Sequence, residues 1–256
     1  MITSELREYA ETPDRFSIVA SEIVTRYADE RVCIIEGPTW ASVSGVRTDD
    51  VEALLADVRG RVAPGTDMTW SIGPSAEPAD VHERLQELGL GEPRDRTPVL
   101  HALAATTPLP ATPPGIDVTE VQTFGEFVAA QEVRWEAFAT PPERREREVP
   151  HLEAFFADAM RTGVPVSFLA RLDGRPAATA MSIPSPRGVF LIGGCTAEWA
   201  RGRGLYRALV RARWDDAVRR GTPALVTHAK PDTSLPILER LGFVEVCRLR
   251  RLQDVR

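Results

Sequence analysis

The sequence predicts an α/β (α+β) protein built as two domains, and three observations carry that prediction. Apolar strand-like runs alternate with helical patterns through the C-terminal half, a proline-rich stretch lies near the middle, and a basic glycine loop joins a strand to a helix. Alternating strand and helix signals belong to folds in which helices cover a sheet.

The chain has 256 residues, enough for two domains of ordinary size. Thr106-Thr107-Pro108-Leu109-Pro110-Ala111-Thr112-Pro113-Pro114-Gly115 has the composition of a semi-rigid linker, because proline fixes φ and disfavours helix before it. Domains over 1–108 and 116–256 follow, joined by a linker over 109–115. Beyond it, Phe124 to Phe138 and His151 to Met160 space their apolar residues as helices do. The charged segment Pro141 to Glu148 between them reads as a solvated stretch with local ion pairs.

Val166 to Leu172 and Ala177 to Ile183 flank Asp173-Gly174, a strong hairpin signal. The strand Val189 to Thr196 comes next, then the loop Arg201-Gly202-Arg203-Gly204, then a helix to Arg220. In that helix Tyr206, Val210, Trp214 and Val218 recur at four-residue spacing and read as a core-facing stripe. Pro223 to His228 reads as a strand, Ser234 as the N-cap of a short helix with Pro236 in its first turn, and Gly242 as that helix's stop. Phe243 to Leu249 closes the sheet.

The formal net charge of −6 gives no electrostatic footprint for nucleic acid, so none is expected as a partner. Cys33, Cys195 and Cys247 form no C-x-x-C pair, which argues against a disulfide framework and against a metal site. No apolar run reaches the length of a membrane span, so a soluble cytoplasmic protein without a membrane partner is expected. The oligomeric state is left open, a homodimer included.

The loop Arg201 to Gly204, with Leu205 and Tyr206 opening the helix, carries the chemistry. Glycine lets backbone N–H groups approach a phosphate, the helix N-terminus adds partial positive charge, and two arginines add full charges. A solvated polar turn would share the composition, and what favours phosphate is the loop's place between a strand and a helix.

At this point the C-terminal half, from about residue 115 to about 252, resembles the GNAT superfamily of acyl-CoA-dependent N-acetyltransferases. The resemblance rests on the Asp173-Gly174 hairpin, the strand and Arg201-x-x-Gly204 loop, and Ser234-x-Pro236-Ile237-Leu238-x-x-Leu241-Gly242-Phe243. It implies a mixed central sheet flanked by helices, with acetyl-CoA bound by Cys195, Thr196, Arg201, Gly202, Arg203, Gly204, Leu205, Tyr206 and Ser234. The family's pyrophosphate loop ends on a small residue where this chain has Tyr206, a bulky departure. It further implies transfer of an acetyl group to a primary amine of a small molecule or peptide, directly within a ternary complex. Many members carry a tyrosine that protonates the departing thiolate, at the position held here by Leu238.

His228, at a strand end, is the candidate substitute acid, against the ordinary reading of a histidine held by local hydrogen bonds. Glu132, Glu136 and Glu198 are the candidate bases, and each reads equally well as a solvent-facing charge. The missing tyrosine also leaves an alternative, a non-catalytic CoA-binding regulatory module.

The N-terminal half faintly repeats the C-terminal one. With Gly89 laid on Gly242, Leu88 meets Leu241, Leu85 meets Leu238, Pro78 meets Pro231 and Ile72 meets Leu225. A strand at Trp70-Ser71-Ile72, a helix from Pro78 to Leu88 and a strand from Thr97 to Leu103 follow. Where this copy would carry its phosphate loop it has Val46-Arg47-Thr48-Asp49-Asp50-Val51-Glu52, a capped helix start whose acids repel phosphate. The first copy is therefore expected to be degenerate, a GNAT-like domain that binds no CoA.

Overall fold

The computed structural model describes residues 2–17, 21–95 and 97–254, so the expected domain ends at Met1 and Arg256 lie outside the described residues. In chain order the helices and strands of the N-terminal half are α1 (Ser4–Glu11), β1 (Thr25–Ala28), β2 (Cys33–Glu36), β3 (Trp40–Ser44), α2 (Val51–Arg61), β4 (Asp67–Ile72), α3 (Val81–Glu87) and β5 (Val99–Ala105). Then come β6 (Ile116–Glu120), α4 (Phe124–Ala137), α5 (Pro142–Glu148), α6 (Leu152–Thr162), β7 (Val166–Leu172), β8 (Arg175–Ser185) and β9 (Gly188–Thr196). The last are α7 (Leu205–Arg219), β10 (Leu225–Ala229), α8 (Leu235–Arg240) and β11 (Val244–Asp254).

The chain forms two compact units, one of residues up to Ala104 together with those from His228 on, the other Ala105–Thr227. This division differs from the expected one, in which everything after the linker belongs to the second domain. The cause is β11, which pairs antiparallel with β4 from Arg250↔Ile72 to Asp254↔Met68 and with β5 from Val244↔Ala104 to Arg250↔Val99. Its Leu252 is 1% exposed among the core residues Val58, Met68, Trp70 and Leu85. Asp254 is held by Arg59 in a two-pronged ion pair, Nε and Nη2 each 2.9 Å from a carboxylate oxygen. Consecutive elements usually lie side by side, which is why a closing strand was expected in the second sheet.

In the first unit β1, β2 and β3 run antiparallel in succession, and β3 pairs parallel with β4 through the α2 crossover. In the second, β6, β7, β8 and β9 are antiparallel neighbours and β9 pairs parallel with β10 through α7. The β7–β8 turn has positive φ at both Asp173 (52°) and Gly174 (77°), the backbone that a tight hairpin following the strand twist demands. A capping box starts α4, in which Thr123 Oγ1 accepts from the Glu126 N–H and the Glu126 carboxylate accepts from the Thr123 N–H. The segment expected to be a solvated stretch is the short helix α5, which buries no residue and carries the ion pair Arg144–Glu148 at 3.0 Å.

The repeat is visible in how α3 and α8 end. Leu90 N–H donates to Leu85 O and Gly89 N–H to Gln86 O, while Phe243 N–H donates to Leu238 O and Gly242 N–H to Glu239 O. Gly89 and Gly242 adopt φ of 96° and 93°, a left-handed helix stop that favours glycine. Leu85 and Leu238 are 0% and 1% exposed. The leucine and glycine positions thus recur because each helix ends by the same hydrogen-bonded turn against a buried side chain.

Candidate functional site

The second unit contains a forked pair of parallel strands. β9 and β10 pair only at Leu225↔Val189, Val226↔Phe190 and Thr227↔Leu191, and the ladder stops there although β9 continues to Thr196. In the first unit the corresponding parallel pair runs from Trp40↔Asp67 to Ser44↔Ser71, the last residue of β3. Ile192 to Thr196 thus leave the sheet's hydrogen-bonding direction open on the β10 side. Backbone groups in such a stretch need partners, and an extended ligand carrying amides can supply them as an added strand would.

A bulge sits within this open stretch. Thr179↔Cys195 and Met181↔Ile192 bracket it, so β9 holds one residue more than β8 between the two pairs. Gly193 carries the kink at φ 60°. Its Cβ position would face Met181 and Arg134, whereas that of Gly194 would face Tyr206 and Arg213. A bulge leaves its extra residue out of the regular ladder, and such a residue is one way a strand can offer a backbone donor to an oxyanion.

Beyond β9 the chain makes a 3-10 turn over Glu198–Ala200 and then the glycine loop. Gly202 and Gly204 have φ of 78° and 86°, and Gly204 stands at the N-cap of α7 without a side chain to cap it. The first turn of α7 holds no acid. Arg201 and Arg203 are exposed and make no ion pair among the described residues. At α2 the opposite arrangement holds, with Asp50 Oδ1 accepting from the Ala53 N–H at 2.9 Å and Glu52 in the first turn. One helix start carries a side-chain cap and an acid in its first turn, and the other has neither.

Tyr206 does not obstruct the loop. Its ring lies over the sheet against Gly194, where an added Cβ would come within 2.9 Å of Tyr206 Cε2, so the bulk absent from one position is present at the other. Burial pushes the Tyr206 phenol up, and the Arg213 charge acts against that shift. Arg213 itself is 1% exposed; its Nε donates to Leu209 O at 3.1 Å and its Nη1 to Met181 O at 3.4 Å, and Nη2 lacks a hydrogen bond of good geometry. Desolvation brings this guanidinium down to about 10, with the Tyr206 phenol pulling the other way. Of the expected Tyr206 stripe, Val210 and Trp214 are buried, but Val218, near the C-terminal end of α7, is 50% exposed.

The other candidates are placed as follows. Cys195 and Thr196 lie in the open stretch of β9, and burial raises the Cys195 thiol to about 11, so it is a neutral filler and no nucleophile. Glu132 and Glu136 are exposed on α4. Phe127, Ala130, Gln131 and Arg134 of α4 line the pocket against β8 and β9, and helical geometry puts both glutamates on the other side of the helix. Glu198 is likewise exposed. The Nε2 of His228 stands 2.9 Å from the Ala10 carbonyl at the end of α1, within the first unit. Desolvation lowers its pKa to about 4, which leaves the ring neutral at pH 7. Ser234 occupies the N-cap position of α8, yet its hydroxyl accepts from the Lys230 N–H at 2.9 Å, and α8 has no side-chain cap. Leu238 is a core residue of the first unit.

Sequence reasoning missed Arg134. A shallow pocket of about 20 Å³, open to solvent, lies against the bulge on the α4 side, lined by Phe127, Gln131, Arg134, Ser167 and Met181 among others. The available signal was an arginine seven residues after Phe127 and four after Ala130, on the apolar face of α4.

Solved structures share this architecture. A GCN5-related N-acetyltransferase from Kribbella flavida is 17% identical, with 97% of this chain and 95% of that one covered at a TM-score of 0.65. A tandem GNAT protein from the clavulanic acid biosynthesis pathway is 13% identical over 99% and 88% of the two chains, with a TM-score of 0.58. A putative acetyltransferase of the GNAT family from Novosphingobium aromaticivorans is 18% identical over 96% and 94%, with a TM-score of 0.56. No family model and no curated protein matches the sequence. The fold is therefore the GNAT fold in its two-unit form. Among the described residues no helix is long and apolar enough to cross a membrane, and no group of His, Cys, Asp and Glu could hold a metal ion.

Proposed function

From the GNAT fold as premise, we propose that the chain is an N-acetyltransferase that takes an acetyl group from acetyl-CoA and places it on a primary amine, with one active site, in the C-terminal GNAT-like copy. The observation that carries the reading is the fork of β9 and β10 in the second unit beside a zipped β3–β4 pair in the first.

Acetyl-CoA supplies an activated thioester carbonyl. The open backbone of Ile192 to Thr196 pairs with the amides of the pantetheine arm, and Gly202, Gly204 and the free N–H groups of α7 take the pyrophosphate, with Arg201 and Arg203 adding charge. A backbone N–H at the Gly193 bulge stabilises the oxyanion that forms when the amine attacks. The new C–N bond forms as the C–S bond breaks; the sulfur leaves with the bonding pair and the amine loses a proton to solvent. A free thiol ordinarily ionises near pH 8.5, so this leaving group departs without an acid in the position of Leu238. Positioning both substrates in one complex supplies the larger part of such a rate enhancement.

Incubation of the full chain with acetyl-CoA and a broad amine panel, following release of the CoA thiol, tests the reading. Turnover with at least one amine is expected; a protein that neither binds acetyl-CoA nor releases CoA with any acceptor would overturn it.

A further inference from the structure

On the α4 side of the β9 bulge stands a guanidinium with no counter-ion. Arg134 is half-buried in the pocket wall, and desolvation lowers its pKa from the ordinary range. Among the described residues it makes no ion pair, and the contact of its Nη1 is to Met181 Sδ at 3.8 Å. Glu148, whose charge reaches it, already accepts from Trp135 Nε1 at 2.6 Å, Gln131 Nε2 at 3.2 Å and Arg144 Nε at 3.0 Å. Thr179 is also committed, donating to the Phe168 carbonyl at 3.0 Å. A half-buried cation held partly out of water favours an anionic partner, and nothing in the pocket supplies one.

Its place is as informative as its isolation. The guanidinium carbon lies 3.6 Å, and Nη1 3.7 Å, from where a Cβ would stand on Gly193, the residue that kinks β9. The charge therefore sits against the very strand segment that would present the acyl carbonyl, on the sheet face opposite Tyr206 and Arg213. A planar fork matches a carboxylate bidentately, which fixes orientation as well as position.

We propose that Arg134 binds the carboxylate of the acceptor, so that the substrate class is amino acids whose amine lies a short distance from the carboxylate, α-amino acids first. This rests on the acetyl-transfer reading for the identity of the reaction, though the anion site itself does not. In an α-amino acid the nitrogen is separated from the carboxylate carbon by a single carbon, so a carboxylate held at Arg134 leaves the amine beside the bulge. Phe127 and Met181 give the remaining wall an apolar surface for a side chain.

The test uses the full chain and matched triads: each L-amino acid, its carboxamide and its decarboxylated amine. Wild type, Arg134→Met and Arg134→Lys are compared for kcat/KM of acetylation. Calorimetry on the CoA-saturated protein measures binding of the corresponding des-amino carboxylic acids, which cannot react. Wild type is expected to prefer the amino acid over both analogues by about ten- to a hundredfold, the range for one charge-assisted contact. Arg134→Met is expected to bring that preference below threefold and abolish binding of the des-amino acids, with Arg134→Lys in between; melting curves verify that the variants fold. Equal use of the three analogues by wild type, discrimination that survives in Arg134→Met, or des-amino acids that fail to bind wild type would overturn the proposal. Binding of des-amino acids that depends on Arg134, without any acetyl transfer, would uphold the anion site while refuting the reaction. Acetylation indifferent to the carboxylate would do the reverse.

Discussion

Replacing Arg201 and Arg203 together by methionine separates a phosphate loop from an ordinary polar turn. Both side chains are exposed and neither makes an ion pair among the described residues, so their loss leaves the fold's own contacts intact. The glycine backbone at φ 78° and 86° and the uncapped start of α7 also remain. What disappears is two full charges beside a pyrophosphate. A charge-assisted contact at an exposed, screened site contributes about 1 kcal/mol, so the pair should account for about 2 kcal/mol, or about thirtyfold in the Kd for CoA. Because the loss is electrostatic, it should shrink as salt rises from 0.05 to about 0.5 M, where the screening length is only a few ångström. Titration calorimetry with CoA at the two salt concentrations reads both effects. An affinity changed less than threefold at low salt, in a variant that melts as wild type does, would refute the assignment of this loop to phosphate.

Other consequences follow from the same geometry. Gly194→Ala should cost about 1 to 3 kcal/mol by overpacking against the Tyr206 ring, and a second change, Tyr206→Leu, should recover part of it in a double-mutant cycle followed by urea denaturation. Arg213→Met should be neutral or stabilising by about 1 kcal/mol in the same assay, because the buried guanidinium pairs with no carboxylate; a loss above 1 kcal/mol would contradict that. His228 has a folded pKa near 4 against an ordinary 6.5, so the unfolded chain takes up its proton first as pH falls. The stability it leaves intact above pH 6.5 is therefore lost as pH falls toward 4, by about 3 kcal/mol in all. Urea titrations between those pH values should show a shallower slope for His228→Asn, and equal slopes would refute the assignment. Asp14, raised to about 6 by burial, acts with the opposite sign, so the comparison between variant and wild type isolates the histidine.

Much of the fold was legible because local rules carry it. The Asp173-Gly174 turn, the Asp50 cap of α2 and the glycine stops after α3 and α8 are each short-range devices, written within a few neighbouring residues. The destination of β11 was not legible, since its partners Met68 to Ile72 and Val99 to Ala104 lie more than a hundred residues away and a strand pattern does not name its neighbours. Helix α5 escaped notice because it buries nothing and so shows no apolar stripe. The glycine loop was readable as sequence, but the fork beside it was not, because a ladder that stops at Thr227↔Leu191 leaves no trace in composition. Glu132 and Glu136 were singled out for their chemistry alone, and helical geometry turns them away while it turns Arg134 in.

The central claim is that one fork, and therefore one CoA site, exists per chain. Calorimetric titration of the full chain with CoA measures this directly. One equivalent bound is expected, and its loss in Gly204→Val, where a side chain at φ 86° would also strike Pro113. Two equivalents, none, or one equivalent unaffected by that substitution would contradict it.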